Sequence, residues 1–437
     1  MKLVIAEKPS VAQSIATVIG ATNRKDGYMG GKDYLVSWCV GHLVELASAD
    51  CYDEKYTKWQ YEDLPILPSN WKYVISKGKE KQMKIIGGLM KRIDVTEIIA
   101  ATDAGREGEL IFRLVYERFS CKKPIKRLWI SSMEESAIDE GFKNLRNGSD
   151  YELLYQSALC RAKADWIVGI NATRLFSLLY GQTLNVGRVM SPTLAMMVER
   201  EENIANFKAT PFYTVQLDLG SLTLSGDRLQ EKQEAETLRN ACDGQNITIE
   251  SVERKEKLEK PPKLYDLTTL QREANRQLGF TAEQTLEYVQ SLYEKKLVTY
   301  PRTDSRYLTE DMRDSIPALV KTVAGFFTPE NVQLPINTGQ IIDNSKVSDH
   351  HGIIATLGVE NYDIRSLPFG EREILLLIGL RLVCAVGDNC RYAETLITAK
   401  YSGAIFTAKG KTILEEGWKA VQKIYLDTKK EQHQEEK

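Results

Sequence analysis

Apolar residues run together and then recur at helical spacing, twice over, in the first third of the chain. Leu3-Val4-Ile5-Ala6 is a continuous apolar run, the pattern of a parallel strand buried on both faces. Pro9-Ser10 then opens a helix with Val11, Ile15, Ala16 and Ile19 on one face, and Gly20 stops it. Ile98 to Ala101 repeats the strand, Asp103 to Gly108 the turn, and Leu110 to Phe119 the helix. Lys126 to Ile130 is a third strand, followed by a helix from about Ser132. This alternation predicts a doubly wound, mostly parallel α/β sheet over residues 1–150.

Beyond it the period changes. Leu153, Leu154, Ala158, Ala162, Trp166 and Ile170 recur near the helical period, and Gly187 and Pro192 punctuate the segment. Phe212 to Leu219 and Ile247 to Val252 alternate apolar with polar, which predicts an antiparallel sheet. The charged run Glu253 to Lys260, ending in Pro261-Pro262, reads as a crossing between domains. Leu267 to Leu297 is helical again, and Glu394 to Phe406 returns to strand-like alternation. The last residues are almost wholly polar and are expected to be disordered.

Composition narrows the class. The 437 residues are 43% hydrophobic and 27% charged, which excludes global disorder. The longest apolar run, Ile374 to Val386, is broken by Arg381 and falls short of the roughly 20 residues that span a bilayer. Glu7 arrives before any signal-peptide core, so the expected compartment is the cytoplasm. The seven cysteines are scattered without a C-x-x-C, against a disulfide framework or a zinc ribbon. A net charge of −2 decides nothing about nucleic acid, because a basic groove can sit on a neutral average.

Three places carry candidate chemistry. Glu7-Lys8 follows the first strand, and Asp103, Glu107 and Glu109 follow the second. Ligands of open α/β sheets bind beyond the carboxyl ends of strands, and carboxylates gathered without His or Cys suit Mg²⁺. Acids in such a turn also cap the next helix. The second place is Tyr300-Pro301-Arg302-Thr303-Asp304-Ser305, where Arg302, Thr303 and Ser305 offer donors to an anion beside a phenol able to form a phosphoester. The third is Asp349-His350-His351, an acid beside two of the four histidines; a phosphate-contacting or structural role suits it better than metal ligation.

With these residues in hand the sequence resembles the type IA DNA topoisomerases, and within them the bacterial or mobile-element topoisomerase III branch. The motifs stand in the family's order: Ala6-Glu7-Lys8-Pro9-Ser10, then Ala101 through Leu110, Val186-Gly187-Arg188-Val189, Tyr300 through Ser305, and Asp349 through Ile354. The resemblance implies a multidomain α/β + α + β fold. A Toprim domain would occupy residues 1–150 and the first part of a helical DNA cradle 151–208. A β hinge would take 209–262 and 389–425, a helical domain with the nucleophilic tyrosine 263–388, and a disordered tail 426–437.

It also implies roles. Tyr300 attacks a phosphodiester of single-stranded DNA and becomes joined to the 5′ phosphate, while Arg302 stabilises the anionic transition state. Glu7, Asp103 and Glu107 belong to a Mg²⁺ site, with Glu109 a candidate fourth acid, and Glu7 also serves catalysis. Lys8 protonates the departing 3′ oxygen. Arg188, His350, Thr303 and Ser305 contact DNA. Religation needs no ATP, and the outcome is relaxation of negative supercoils and decatenation. The implied setting is the bacterial cytoplasm, at the nucleoid. The sequence names no helicase partner and fixes no oligomeric state.

Departures from the family pattern matter. Gly105 stands where a second Asp is usual, Met190-Ser191 follow where a Gln is common, and Gly352 replaces an Ala. The resemblance ends near Gln422, so a C-terminally shortened form is expected, with an incomplete cradle. The competing reading is a non-catalytic or cleavage-only single-stranded DNA-binding remnant. A Toprim nuclease or primase leaves Tyr300 and its flanks unexplained.

Overall fold

The structure is a computed structural model that describes residues 1–130, 133, 135–327, 335–348 and 350–435. Ser132 and Asp349, both singled out above, lie outside the described residues. The chain forms two compact units, each assembled from separate stretches: Met1–Glu202 with Asp266–Ser305 and Val347–Glu371, and Asn203–Tyr265 with Arg306–Lys346 and Arg372–Lys437.

The first unit is built on a seven-stranded sheet of order β2-β3-β4-β1-β7-β8-β9. Its strands are β1 (Lys2–Ala6), β2 (Asn23–Lys25), β3 (Tyr28–Gly30), β4 (Tyr34–Trp38), β7 (Glu97–Ala101), β8 (Ile125–Arg127) and β9 (Arg146–Asn147). A separate hairpin pairs β5 (Val44–Leu46) with β6 (Tyr73–Ile75). The inner neighbours β4, β1, β7 and β8 run parallel, and both margins of the sheet are antiparallel. Alternate residues of β1 explain its unbroken apolar run. Leu3 and Ile5 enter one core with α2 (Glu80–Lys91), α3 (Arg106–Arg118) and the start of α5 (Glu152–Tyr180). Val4 and Ala6 enter the other with α1 (Pro9–Val18) and α4 (Glu135–Lys143). Both faces are covered, as a parallel sheet requires. The expected turn from Asp103 to Gly108 is shorter than read: α3 already begins at Arg106, with Gly105 as its N-cap residue.

Further helices complete this unit. In α6 (Met190–Ala205) no residue is buried. The helical stretch from Leu267 is two helices, α8 (Leu267–Leu278) and α9 (Ala282–Glu294), because Gly279 takes φ 73° at the end of α8. A capping box restarts the chain: the Gln284 N–H donates to Thr281 Oγ1 at 3.1 Å, and the Thr281 N–H to Gln284 Oε1 at 3.0 Å.

The second unit holds a five-stranded antiparallel sheet of order β10-β11-β14-β13-β12. The strands are β10 (Tyr213–Asp218), β11 (Thr223–Leu229), β12 (Thr248–Glu259), β13 (Cys390–Tyr401) and β14 (Ala404–Glu415). With them go α7 (Lys232–Cys242), α10 (Ile316–Ala324), α11 (Phe369–Ala385) and α12 (Lys419–Glu435). Three expectations are corrected here. The charged run from Glu253 is no crossing: it continues β12, paired with β13 from Thr248↔Lys400 to Glu259↔Cys390. Glu394 to Phe406 is not one strand, since Ser402 (φ 49°) and Gly403 (φ 82°) turn the chain between β13 and β14. The polar tail is helical to Glu435, started by buried Val421 and Tyr425 one turn apart and continued by Lys, Glu and Gln, which favour helix. No helix among the described residues is long and apolar enough to cross a membrane. The architecture is of the expected multidomain α/β, α and β class.

Candidate active site

The first unit gathers the site at the carboxyl ends of β1 and β7. These strands are parallel neighbours in register, Ala6 opposite Ala101, so Glu7 and Asp103 emerge side by side. The Asp103 N–H donates to Glu7 Oε2 at 3.3 Å. Burial and the Asp103 charge push the Glu7 carboxyl up to about 7, and burial raises Asp103 as well. The two acids therefore form a site short of positive charge.

The turn that carries Asp103 is fixed from beneath by Arg127. This guanidinium is fully buried. It donates to the carbonyls of Ala100 (3.1 Å), Thr102 (2.7 Å), Leu128 (2.9 Å) and Asp103 (2.6 Å). Its Nε also pairs with Glu109 Oε2 at 3.1 Å. Gly108 completes the turn, because a Cβ there would lie 2.1 Å from the Asp103 carbonyl oxygen.

The tyrosine comes from the loop after α9. Thr299 N–H donates to the Ile354 carbonyl at 3.0 Å, and Ile354 N–H to Thr299 Oγ1 at 3.0 Å. Thr303 Oγ1 donates to the His350 carbonyl at 2.9 Å. These bonds strap the loop to residues 350–354 and leave Tyr300 little freedom. Its ring lies 4.2 Å from the His350 ring and 5.4 Å from Tyr293, centroid to centroid. The Asp103 carboxylate and the Arg302 guanidinium both act electrostatically on the Tyr300 hydroxyl. Burial first, then Asp103, raises its proton affinity above that of a free phenol, while Arg302 acts in the opposite sense.

His350 is buried, and desolvation, with His351 and Arg127 nearby, lowers its ring to about 4. It is neutral at pH 7, and among the described residues its Nδ1 has no hydrogen-bond partner. Arg302 Nη1 donates to Gln290 Oε1 at 2.8 Å, and Lys8 Nζ to Glu294 Oε1 at 3.2 Å.

A cleft of ≈ 810 Å³ opens over these groups, lined among others by Glu7, Lys8, Asp103, Glu107, Tyr300 and Arg302. His350 and Thr303 also line it. Thr303 does so from a buried position, as a strap of the loop. Ser305 is buried and is not part of the lining. Arg188 is not part of it either; its Nε donates to Asp165 Oδ1 at 2.8 Å.

The acids after β7 divide between tasks. Glu109 is 1% exposed and its carboxylate is shared by Arg113 (2.8 Å) and Arg127, which removes it from the candidate metal ligands. Glu107 is exposed, 3.7 Å from His42 Nε2 and 3.5 Å from Arg161 Nη1, and His42 beside it, with Arg161, holds it below the usual carboxylate range. Among the described residues no three His, Cys, Asp or Glu side chains close on a common metal position. The donor set that fits Mg²⁺ is the Glu7–Asp103 pair, two hard carboxylates that repel each other, for an ion that keeps several waters.

Sequence reasoning missed His42, Arg161, Arg127, Gln290 and Glu294. Only the last two left a local signal, polar residues four apart on one face of a helix just before Tyr300.

The raised Glu7 acid has a measurable consequence. Between its ordinary 4.5 and about 7 the folded chain keeps a proton that the unfolded chain has lost, so stability falls as pH rises through that window. The full effect is about 3 kcal/mol. His350 works in reverse: held at about 4 against an ordinary 6.5, it adds stability above pH 6.5 that is lost as pH falls toward 4. The two nearly offset each other in the wild type. Glu7→Gln exposes the difference: by chemical denaturation it should be more stable than wild type at pH 8 and indistinguishable at pH 4. Equal curves at both values would contradict the coupled carboxylates.

Comparisons with known proteins bear on this geometry. A DNA topoisomerase family model matches residues 149–437, and a Toprim domain model matches residues 2–133. A Bacillus cereus protein named DNA topoisomerase 3 is 42% identical over 432 residues, covering 96% of this chain and 59% of the relative. A Bacillus subtilis protein of the same name is 42% identical over 433 residues with the same coverage. The chain thus spans about three fifths of the length of these curated relatives. The solved full-length topoisomerase I of Thermotoga maritima shares the fold, with a TM-score of 0.72 at 23% identity over 96% of this chain and 67% of that one. A tyrosine held against paired carboxylates on a Toprim sheet, with these matches end to end, places the chain in the type IA DNA topoisomerase family.

Proposed function

We propose that the chain cleaves and rejoins one strand of DNA through Tyr300, the reaction of a type IA topoisomerase. The observation that carries this reading is Tyr300 lining one open cleft together with Glu7, Lys8, Asp103 and Arg302. In the proposed step Tyr300 Oη bonds to phosphorus and the bond from phosphorus to O3′ breaks. The phenol proton passes to Asp103, which lines the same cleft, and Lys8 gives a proton to O3′. Arg302 offsets the charge that develops on the phosphoryl oxygens. The neutral His350 ring packs on the nucleophile and excludes water from one side. Reversal restores the phosphodiester without ATP, because the phosphotyrosine keeps the energy of the bond it replaced.

The substrate in this reading is a single-stranded region of DNA, and relaxation of negative supercoils and decatenation are the topological outcomes. Glu7 and Asp103 would hold Mg²⁺, which supplies positive charge beside two strained carboxylates when bound. Added Mg²⁺ should raise the melting temperature of wild type and leave that of Glu7→Gln unchanged. The domain divisions drawn from the sequence up to residue 425, a nucleoid location in the bacterial cytoplasm, and DNA contacts by Arg188 and His350 belong to the same proposal.

Oligonucleotides labelled at either end test the cleavage step. In a denaturing gel the 3′-labelled strand should migrate with the protein, and the 5′-labelled strand should give a short free fragment. The opposite pattern would mean attachment to a 3′ phosphate and would overturn the reading.

A further inference from the structure

Two cationic groups of the proposed reaction, Arg302 and Lys8, come from sites almost three hundred residues apart. Neither is held by the acids of the cleft alone. Arg302 Nη1 donates to Gln290 Oε1 at 2.8 Å. Gln290 Nε2 donates in turn to Glu294 Oε1 at 3.1 Å. Lys8 Nζ donates to that same oxygen at 3.2 Å. The chain of bonds is continuous from the guanidinium to the ammonium.

The helix makes this arrangement rigid. Gln290 and Glu294 lie one turn apart on α9, on the same face. The opposite side of α9 is anchored in the core by Val289, Leu292 and Tyr293, and Tyr293 packs on the nucleophile. The next residue, Lys295, pairs with Glu371, which also accepts from Ser291 Oγ at 2.9 Å. A helix fixed on so many sides is a ruler between the two cations.

We propose that Gln290 and Glu294 are positioning residues that set Arg302 and Lys8 at a fixed separation across the phosphodiester, one on the transferred phosphoryl group and one at the leaving oxygen. The glutamine is the needed link. Its amide has an acceptor for the guanidinium and a donor for the carboxylate, so it joins two groups that a charged residue of either sign would drive apart. Glutamate at 290 would compete with Glu294 for Lys8, and lysine would repel Arg302. The inference rests on the strand-cleavage reading, and its test separates the two.

The first arm needs no DNA. In ¹⁵N-labelled protein the Arg302 Nε–H signal, assigned with Arg302→Lys, should be ordered in wild type. It should become mobile in Gln290→Ala and also in Glu294→Ala, although Glu294 does not touch Arg302. An Arg302 signal unchanged by Glu294→Ala overturns the relay whatever the protein does to DNA.

The second arm reads single-turnover cleavage at saturating oligonucleotide, with the Kd measured separately. Glu294→Ala should slow cleavage about tenfold to a hundredfold with Kd unchanged, as expected for a misplaced rather than a missing group. In a Lys8→Ala background the same substitution should cost less than it does in wild type, because only its effect on Arg302 through Gln290 remains. Equal losses in both backgrounds overturn the proposal. If wild type forms no adduct, the strand-cleavage reading fails, and the arginine signal still decides the relay.

Discussion

Tyr300→Phe abolishes the covalent protein–DNA complex and leaves single-stranded DNA binding within about twofold of wild type. The substitution removes one oxygen and keeps the ring. The contacts with Tyr293 and His350, and the strap formed by Thr299 and Thr303, do not involve the hydroxyl. The expected change in stability is small, because one oxygen is removed and the ring keeps its packing against Tyr293 and His350. Loss of the adduct with an unchanged melting curve therefore isolates chemistry from folding. An adduct that persists in Tyr300→Phe places the nucleophile elsewhere.

Arg127→Met destabilises the first unit by about 3 kcal/mol, the lower end for a buried ion pair that loses one partner. It takes the lower end because Glu109 keeps Arg113 at 2.8 Å. Four backbone carbonyls lose their common donor at the same time, one of them that of Asp103. The loosened turn should also weaken cleavage, since Asp103 is the group against which Tyr300 is set. The double variant Arg127→Met with Glu109→Leu should be less stable still, because it also takes from buried Arg113 the carboxylate it holds at 2.8 Å. Chemical denaturation of the single and double variants measures both statements. A double variant more stable than the single would contradict the role given to Arg113 in this cluster.

The contrast between Glu107 and Glu109 shows where sequence reading stops. The sequence places both acids between the second strand and a helix expected from Leu110. That helix begins at Arg106, so the two lie on α3 almost opposite each other, one over the cleft and one against the core. A helix boundary moved by four residues changed the role of a carboxylate. The part of β12 from Glu253 onward hid itself for a different reason. The strand's partners Cys390–Lys400 are far along the chain, and the charged side chains of this part carry no alternation, so the backbone pairing left no local trace.

What could be read was what local sequence dictates. Four consecutive apolar residues from Leu3 can only be a strand covered on both faces, and two such strands with acids at their ends place Glu7 near Asp103. The Pro301-Arg302 flank marked Tyr300 among twenty tyrosines. The supporting contacts were not legible, because Gln290 and Glu294 acquire meaning only when Arg302 and Lys8 arrive beside them.

One measurement bears most directly on the account. The covalent complex is trapped with a labelled oligonucleotide, digested with nuclease and trypsin, and its modified peptide sequenced by mass spectrometry. The peptide Leu297–Arg302, bounded by Lys296 and Arg302, should carry a nucleotide through its 5′ phosphate on Tyr300. A nucleotide on any other residue would contradict it.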